Sequence, residues 1–294
     1  MRWIWCAVLA SGCVSIDDTP KPWVAAGQIA APLTPELGPA VTPPRVPTTL
    51  RIASWNVERG EHPDALADEI MTSPVLASAD ILIVQEIENH PGELGSRASR
   101  LAAALGMTWF YAPARTQDEG THGDAILSRF PLSSPEVKQL PFVDQPVNSR
   151  TRIAQRAVVD LGTRTFTLVN VHLDTRLAPV DRIRQLDPAV ADNPPVTVVG
   201  GDLNTLPWIW VDTAVPLTSS EAVLGQDQAQ IVDDYLAAQG FATPIVHDTD
   251  THESVIDMRL DALCPRGLPV LDAGVDYTVS GSDHYAVWID IDVR

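Results

Sequence analysis

Short apolar runs, each closed by a polar cluster, constrain this chain most. Ile81-Leu82-Ile83-Val84 ends in Gln85-Glu86, and Val196-Thr197-Val198-Val199 runs into Gly200-Gly201-Asp202-Leu203-Asn204. A run this apolar belongs to a strand covered on both faces, which needs helices or a second sheet packed over it. Leu50-Arg51-Ile52 leads in the same way to Ser54-Trp55-Asn56, and residues 166–171 lead to His172. Ser282-Asp283-His284-Tyr285 precedes one more apolar run, 286–289. Polar side chains at the ends of buried strands are rarely there for stability, because an unpaired buried carboxylate costs several kcal/mol.

The pattern predicts strands over 50–57, 81–85, 109–112, 124–128, 154–160, 165–172, 196–199, 260–264 and 285–291. Helices are predicted over 65–71, ending near Pro74, then over 97–105, closed by Gly106, over 179–186, and over 229–239 before Gly240. Gly162-Thr163 reads as a hairpin turn, so the sheets mix parallel and antiparallel pairs. Two strand-rich halves with helices outside argue for a layered α/β sandwich.

The first 48 residues have a different texture. Arg2, the short apolar stretch 3–10 and Ala10-Ser11-Gly12-Cys13 resemble the signal and lipobox of bacterial lipoproteins. Residues 1–13 are therefore expected to be a lipoprotein-type signal segment. A lipid on Cys13 would then anchor an exported protein to the membrane of the cell envelope. Residues 14–48 carry Pro20, Pro22, Pro32, Pro35, Pro39, Pro43, Pro44 and Pro47, and are expected to be an extended tether that pairs into no sheet. With Cys6 and Cys13 assigned to the signal, Cys264 reads as a buried small hydrophobe.

The net charge is −18, which argues against passive attraction of nucleic acid. Lysine occurs only at Lys21 and Lys138, so phosphate contacts would fall to Arg150, Arg152, Arg156 and Arg176.

Seven motifs in order resemble the endonuclease/exonuclease/phosphatase superfamily. They are Ala53-Ser54-Trp55-Asn56-Val57, Val84-Gln85-Glu86-Ile87, Ala125-Ile126-Leu127-Ser128-Arg129-Phe130-Pro131, Val169-Asn170-Val171-His172-Leu173, Gly200-Gly201-Asp202-Leu203-Asn204-Thr205, Arg259-Leu260-Asp261 and Ser282-Asp283-His284. The resemblance implies a four-layer α/β/β/α sandwich with two mixed β-sheets over residues 49–294. It implies a Mg²⁺- or Mn²⁺-dependent phosphoesterase that hydrolyses a phosphodiester or phosphomonoester by in-line attack of water, and the chain is expected to be a monomer. The substrate would be a small molecule, a lipid head group or nucleic acid. An extracellular nuclease and a non-catalytic binding lipoprotein are the alternatives.

The same resemblance assigns roles. Glu86 becomes the central metal ligand, with Asn56 beside it and Asp283 contributing; oxygen donors of this kind suit Mg²⁺. Asp202 activates water and Asn204 holds a phosphate oxygen. His284 is the acid–base or phosphate-stabilising imidazole, and a catalytic histidine needs a partner to fix its tautomer. The family pattern gives that part to the aspartate of Arg259-Leu260-Asp261 rather than to the adjacent Asp283, and the opposite facing of neighbouring residues on an extended chain supports it. Asp257 is the fallback. His172 is the second imidazole, on a polar face with Asn170 and Asp174. Which of Asp118, Glu119, His122 and Asp124 takes the second acidic position of the nucleases stays open. Trp208 and Trp210 would suit a bilayer interface if the substrate is a lipid.

Overall fold

The computed structural model describes residues 23–25, 32–42, 44, 47–143, 150–175, 177–205, 227–254 and 257–294. The signal segment, Cys13, Arg176, Trp208 and Trp210 lie outside these residues.

Two mixed sheets stack face to face. The larger has seven strands in the order β13-β14-β3-β4-β6-β5-β2: Val270–Asp276, Ala286–Asp292, Thr49–Arg59, Ile81–Asn89, Gly120–Ser128, Thr108–Gln117 and Glu36–Leu37. The smaller runs β12-β11-β10-β9-β7: Asp261–Arg266, Thr197–Asp202, Thr165–His172, Ile153–Asp160 and Leu132–Gln139. The pairs β3/β4 and β10/β11 are parallel, and the other pairs of these sheets are antiparallel.

Among the described residues there are four α-helices: α1 (Pro63–Thr72), α2 (Arg97–Leu105), α3 (Pro179–Val190) and α4 (Gln228–Ala238). Local chemistry sets their ends. Ser96 caps α2 by accepting from Ser99 N, Asp227 caps α4 by accepting from Gln230 N, and Gly106 closes α2 in the left-handed conformation that a side chain would oppose. Helices α1 and α2 cover the outside of the seven-stranded sheet through Leu66, Ile70, Leu101 and Leu105. Leu186 and Val190 of α3, with Val232 and Leu236 of α4, cover the outside of the five-stranded one. The layers are therefore α/β/β/α, and this four-layer sandwich is the architecture that the sequence predicts.

The core between the sheets changes character along the strands. On β3 the inner row reads Leu50, Ile52, Ser54, Asn56; on β10 it reads Phe166, Leu168, Asn170, His172; on β11 it runs from Val198 to Asp202. The antiparallel strands β6 and β12 meet the same gradient in reverse, from Ile126 to Asp124 and His122 and from Leu263 to Asp261. One end of the inter-sheet space is thus apolar and the other polar. Between them lies a layer of buried amides. Gln85 Nε2 donates to Asn170 Oδ1 at 2.7 Å, and Asn170 Nδ2 donates to the main-chain oxygens of Val84 at 3.0 Å and Ala125 at 3.1 Å.

Three expectations need correction. Strands β7 and β13 have no counterpart in the sequence reading, because edge strands with solvent on one side carry no apolar run. Residues 14–48 do pair: Glu36–Leu37 adds to β5 opposite Tyr111 and Phe110, and β1 (Trp23–Val24) pairs with β8 (Phe142–Val143). These short stretches contain no proline, so their amide hydrogens are free to bond. Arg156 points out of the sandwich to an ion pair with Glu136, because inward positions on β9 are Gln155 and Ala157.

Gly201 joins β11 to the site. Its φ is +130°, and a Cβ there would meet the Val171 carbonyl oxygen at 2.0 Å. Gly201→Ala is expected to destabilise the fold by about 3 kcal/mol or more, read as a lower thermal midpoint. An unchanged midpoint would show that the β10–β11 pairing tolerates a side chain.

Candidate active site

The polar end of the inter-sheet space gathers side chains from both sheets. Asp202, at the end of β11, lies at the centre. Its Oδ2 accepts from Asn56 Nδ2 at 3.1 Å and its Oδ1 accepts from the Asn204 amide at 2.9 Å. His172 Nε2 lies 3.4 Å from Asp202 Oδ2 and 3.7 Å from Glu86 Oε1, so one imidazole nitrogen stands between the two carboxylates. His284 Nδ1 meets Asp261 Oδ2 at 2.8 Å, while its Nε2 faces Asp202 at 3.9 Å and Asp283 at 4.0 Å. Asp261 is held in turn by the Thr251 hydroxyl at 3.0 Å, and Trp55 Nε1 fixes the His284 carbonyl at 2.9 Å.

Glu86 reaches this centre by an irregularity. The β4–β6 register shifts between Val84 and Ile87, and Glu86 has a φ of +59°. A regular strand would turn Glu86 away from the face that Gln85 occupies; the extra residue turns it toward His172 and His122. Asn204 is also left-handed, at φ +50°, and its Nδ2 donates to the Leu173 carbonyl at 2.9 Å. Such backbone strain collects at functional sites.

The predicted metal set is less closely knit. Asn56 is engaged with Asp202 and, through Oδ1, accepts from the Glu58 amide at 3.1 Å. Asp283 is half-exposed and stands 3.4 Å from His252 Nε2. Asp257, the fallback partner for His284, is exposed.

Two histidines outside the assigned set join the site. His122 Nε2 lies 3.7 Å from Glu86 Oε2. Its Nδ1 faces an Arg115 Nη at 2.8 Å; a guanidinium can only donate, so Nδ1 accepts and the proton sits on Nε2, toward Glu86. His252 stacks edge-on against His284 at 4.8 Å and is tied to it by a β-bridge. Nothing local in the Thr251-His252-Glu253 sequence signals this, because the contact is made by a long-range pairing. Asp124 is fully buried, and burial pushes its carboxyl up to about 8 against the pull of Arg152.

The electrostatics separate the two imidazoles. Burial opposes charge on His284, but Asp261, Asp202 and Asp283 outweigh it and raise its pKa to about 10. Burial and the charge of Arg152 drive His172 well below its usual range. Burial, reinforced by Asp261, pushes Asp202 up to about 6, with His284 pulling the other way. Burial raises Glu86 as well, yet the His122 donor and the neighbouring His172 and Arg152 hold it well below the usual carboxylate range.

These residues suit a hard divalent cation. Carboxylates crowd one another here, Asp202 with Asp261 and Glu86 with Asp283, and a cation offsets that crowding. Two triads, His252–Asp283–His284 and Asp202–Asp261–His284, have ligand atoms within 4.8 Å of one another. Asp261 Oδ1 and His172 Nδ1 are buried without a hydrogen-bond partner.

Residues 53–284 match the model of the endonuclease/exonuclease/phosphatase family. The chain belongs to that family. Its members are usually hydrolytic phosphoesterases. No curated protein matches the sequence. Among solved structures, a family protein from Leptotrichia buccalis is 16% identical, covers 82% of this chain and 99% of its own, and superposes with a TM-score of 0.60. The mannosyl-6-phosphatase of Bacteroides thetaiotaomicron is 16% identical over 82% of this chain and 99% of its own, with a TM-score of 0.57. D. rerio TDP2, solved with a single-strand DNA product, is 15% identical over 84% of this chain and 100% of its own, also at 0.57. At such identities these likenesses speak for the fold.

The raised His284 pKa has a defined sign. A histidine whose folded pKa, about 10, exceeds its ordinary 6.5 stabilises the fold fully below the ordinary value and loses that contribution as pH rises through the folded one. Ring-nitrogen NMR of the metal-free protein at pH 8 is expected to show His284 as imidazolium and His172 as neutral. A His284 that titrates near 6.5 would break the assignment.

Proposed function

We propose that this chain is a divalent-metal-dependent phosphoesterase, hydrolysing a phosphodiester or phosphomonoester by in-line attack of water. The observation that carries this reading is the convergence of Glu86, His172, Asp202 and the His284–Asp261 pair at one rim of the two sheets. Glu86, with Asn56 and Asp283 nearby, would hold Mg²⁺ or Mn²⁺, which supplies charge neutralisation at the phosphoryl group.

The chain's own residues do the rest. Asp202 has a donor on each carboxylate oxygen, so its orientation is fixed, and above about pH 6 it is ionised and able to take a proton from the attacking water. Asp261 fixes His284 through Nδ1, which leaves a protonated Nε2 facing the centre to donate to a phosphoryl or leaving-group oxygen. His172 is uncharged at neutral pH and turns Nε2 toward both carboxylates, where it steadies Glu86 and Asp202 and can grip a phosphate oxygen. Asn204, strained and anchored on Leu173, positions the carboxamide for the same phosphate.

An extracellular nuclease of the same family is the second reading. It draws on the likeness to D. rerio TDP2, solved with a single-strand DNA product, and the net charge of −18 weighs against it. A non-catalytic binding protein is set aside because every motif side chain of the site is present.

Purified protein is expected to hydrolyse a generic aryl phosphodiester or monoester with Mg²⁺ or Mn²⁺ and to stop on chelation. His284→Gln should lower kcat by about 10²–10⁴ with an unchanged circular dichroism spectrum. Activity that survives both chelator and substitution would exclude this mechanism.

The envelope tether through Cys13 belongs to the same proposal and rests on the sequence alone. Among the described residues no helix is long and apolar enough to cross a membrane. Cys13→Ser is expected to move the protein from the membrane fraction to the soluble one. A Cys13→Ser protein that still sediments with membranes would show another mode of attachment.

A further inference from the structure

Arg152 follows Thr151, whose hydroxyl donates to the Ala114 carbonyl of β5 at 3.1 Å; it is 7% exposed, and its Nε has no hydrogen-bond partner. Its charge acts on Asp124, Glu86, His122 and His172. Arg115, on β5, joins it: one Nη donates to His122 Nδ1 at 2.8 Å and the other to Gln117 Oε1 at 3.4 Å. Burial lowers Arg115 to about 10, and repulsion from Arg152 and Arg150 adds to the effect. Even so it stays charged at neutral pH, so the crowding is not relieved by loss of a proton.

Two carboxylates stand among these guanidinium groups. Glu86 is shared with His122 and His172, and burial makes Asp124 neutral below about pH 8. Crowding several cations in a partly buried space is costly unless an anion joins them. The place is separate from the His284 side of the site. In the seven-stranded sheet β4 carries Glu86; His284 leads into β14, two strands to one side, and Arg115 lies on β5, two strands to the other.

We propose that Arg152 and Arg115 form a second anion subsite, on the β5–β6 flank of Glu86, and that the substrate is a small phosphoester carrying a second anionic group, a phosphate or a carboxylate. This rests on the phosphoesterase reading and narrows it. A planar guanidinium suits such a group because it can grip two oxygens at once. The acidity of the chain, with 38 Asp and Glu against 20 Lys and Arg, selects for a compact ligand rather than an extended polyanion.

The test is calorimetric titration of the full chain carrying Asp202→Asn, in Mg²⁺, so that binding is read without turnover. The probes are ethylene glycol monophosphate, ethylene glycol bisphosphate and phosphoglycolate. The bisphosphate is expected to bind at least tenfold more tightly than the monophosphate. Adding Arg152→Gln should remove the preference and keep monophosphate binding, whereas Arg156→Gln, on the outer face, should leave it intact. Arg115→Gln, at the half-buried wall, gives the same readout if the Arg152 variant does not fold. Tight binding of phosphoglycolate as well assigns the subsite to any anion, and its absence assigns it to phosphate. Equal binding of mono- and bisphosphate overturns the subsite alone; failure to bind the monophosphate overturns the phosphoesterase reading with it.

Discussion

The side-chain amide of Asn170 locks the two sheets together directly beneath the site. It stands on β10, yet its Nδ2 donates to main-chain oxygens of β4 and β6, and its Oδ1 accepts from Gln85. Buried amides left without partners would cost several kcal/mol, so one relative position of the sheets is strongly preferred. Apolar packing alone would let sheets slide with little penalty. Here a slide would break bonds that link main chain to side chain across the gap. The distances among Glu86, His172 and Asp202, which come from opposite sheets, depend on that lock.

Above the amides the molecule concentrates features that oppose stability. Glu86 and Asn204 adopt left-handed backbone, Asp202 and Asp261 crowd each other, and an imidazole is held charged in a nearly buried position. Each is a cost that a purely structural rim would shed. Together they leave two imidazoles in opposite protonation states on either side of one carboxylate. Burial opposes charge on both rings; three carboxylates overcome it at His284, while at His172 the charge of Arg152 reinforces it.

Much of this was legible in the chain, for a physical reason. Strands covered on both faces write themselves as apolar runs, so β3, β4, β10 and β11 were visible along with the polar residues that end them. The resemblance named Asp261 rather than Asp283 as the partner of His284, with strand alternation in support, and Asp261 Oδ2 lies 2.8 Å from His284 Nδ1. Edge strands β7 and β13 were illegible because half their surface meets water. The bulge that redirects Glu86 has no glycine or proline to announce it. His252 and Arg115 arrive from segments whose local sequence is unremarkable, by a β-bridge and by strand order. Arg156 was counted among the phosphate-contacting arginines, although standing next to the inward Gln155 turns it outward.

The pairing of Glu36–Leu37 with β5 has a further meaning. A sheet margin left bare offers a ladder of unmet donors and acceptors to any neighbouring molecule. The leading segment covers that margin, with Gly38 N bonded to the Trp109 carbonyl at 2.7 Å. Other borders are guarded by composition instead: the exposed Asp272 on β13, and Pro135, Glu136 and Lys138 on β7. A proline-rich stretch thus also serves as a selvedge, finishing one border of the seven-stranded sheet.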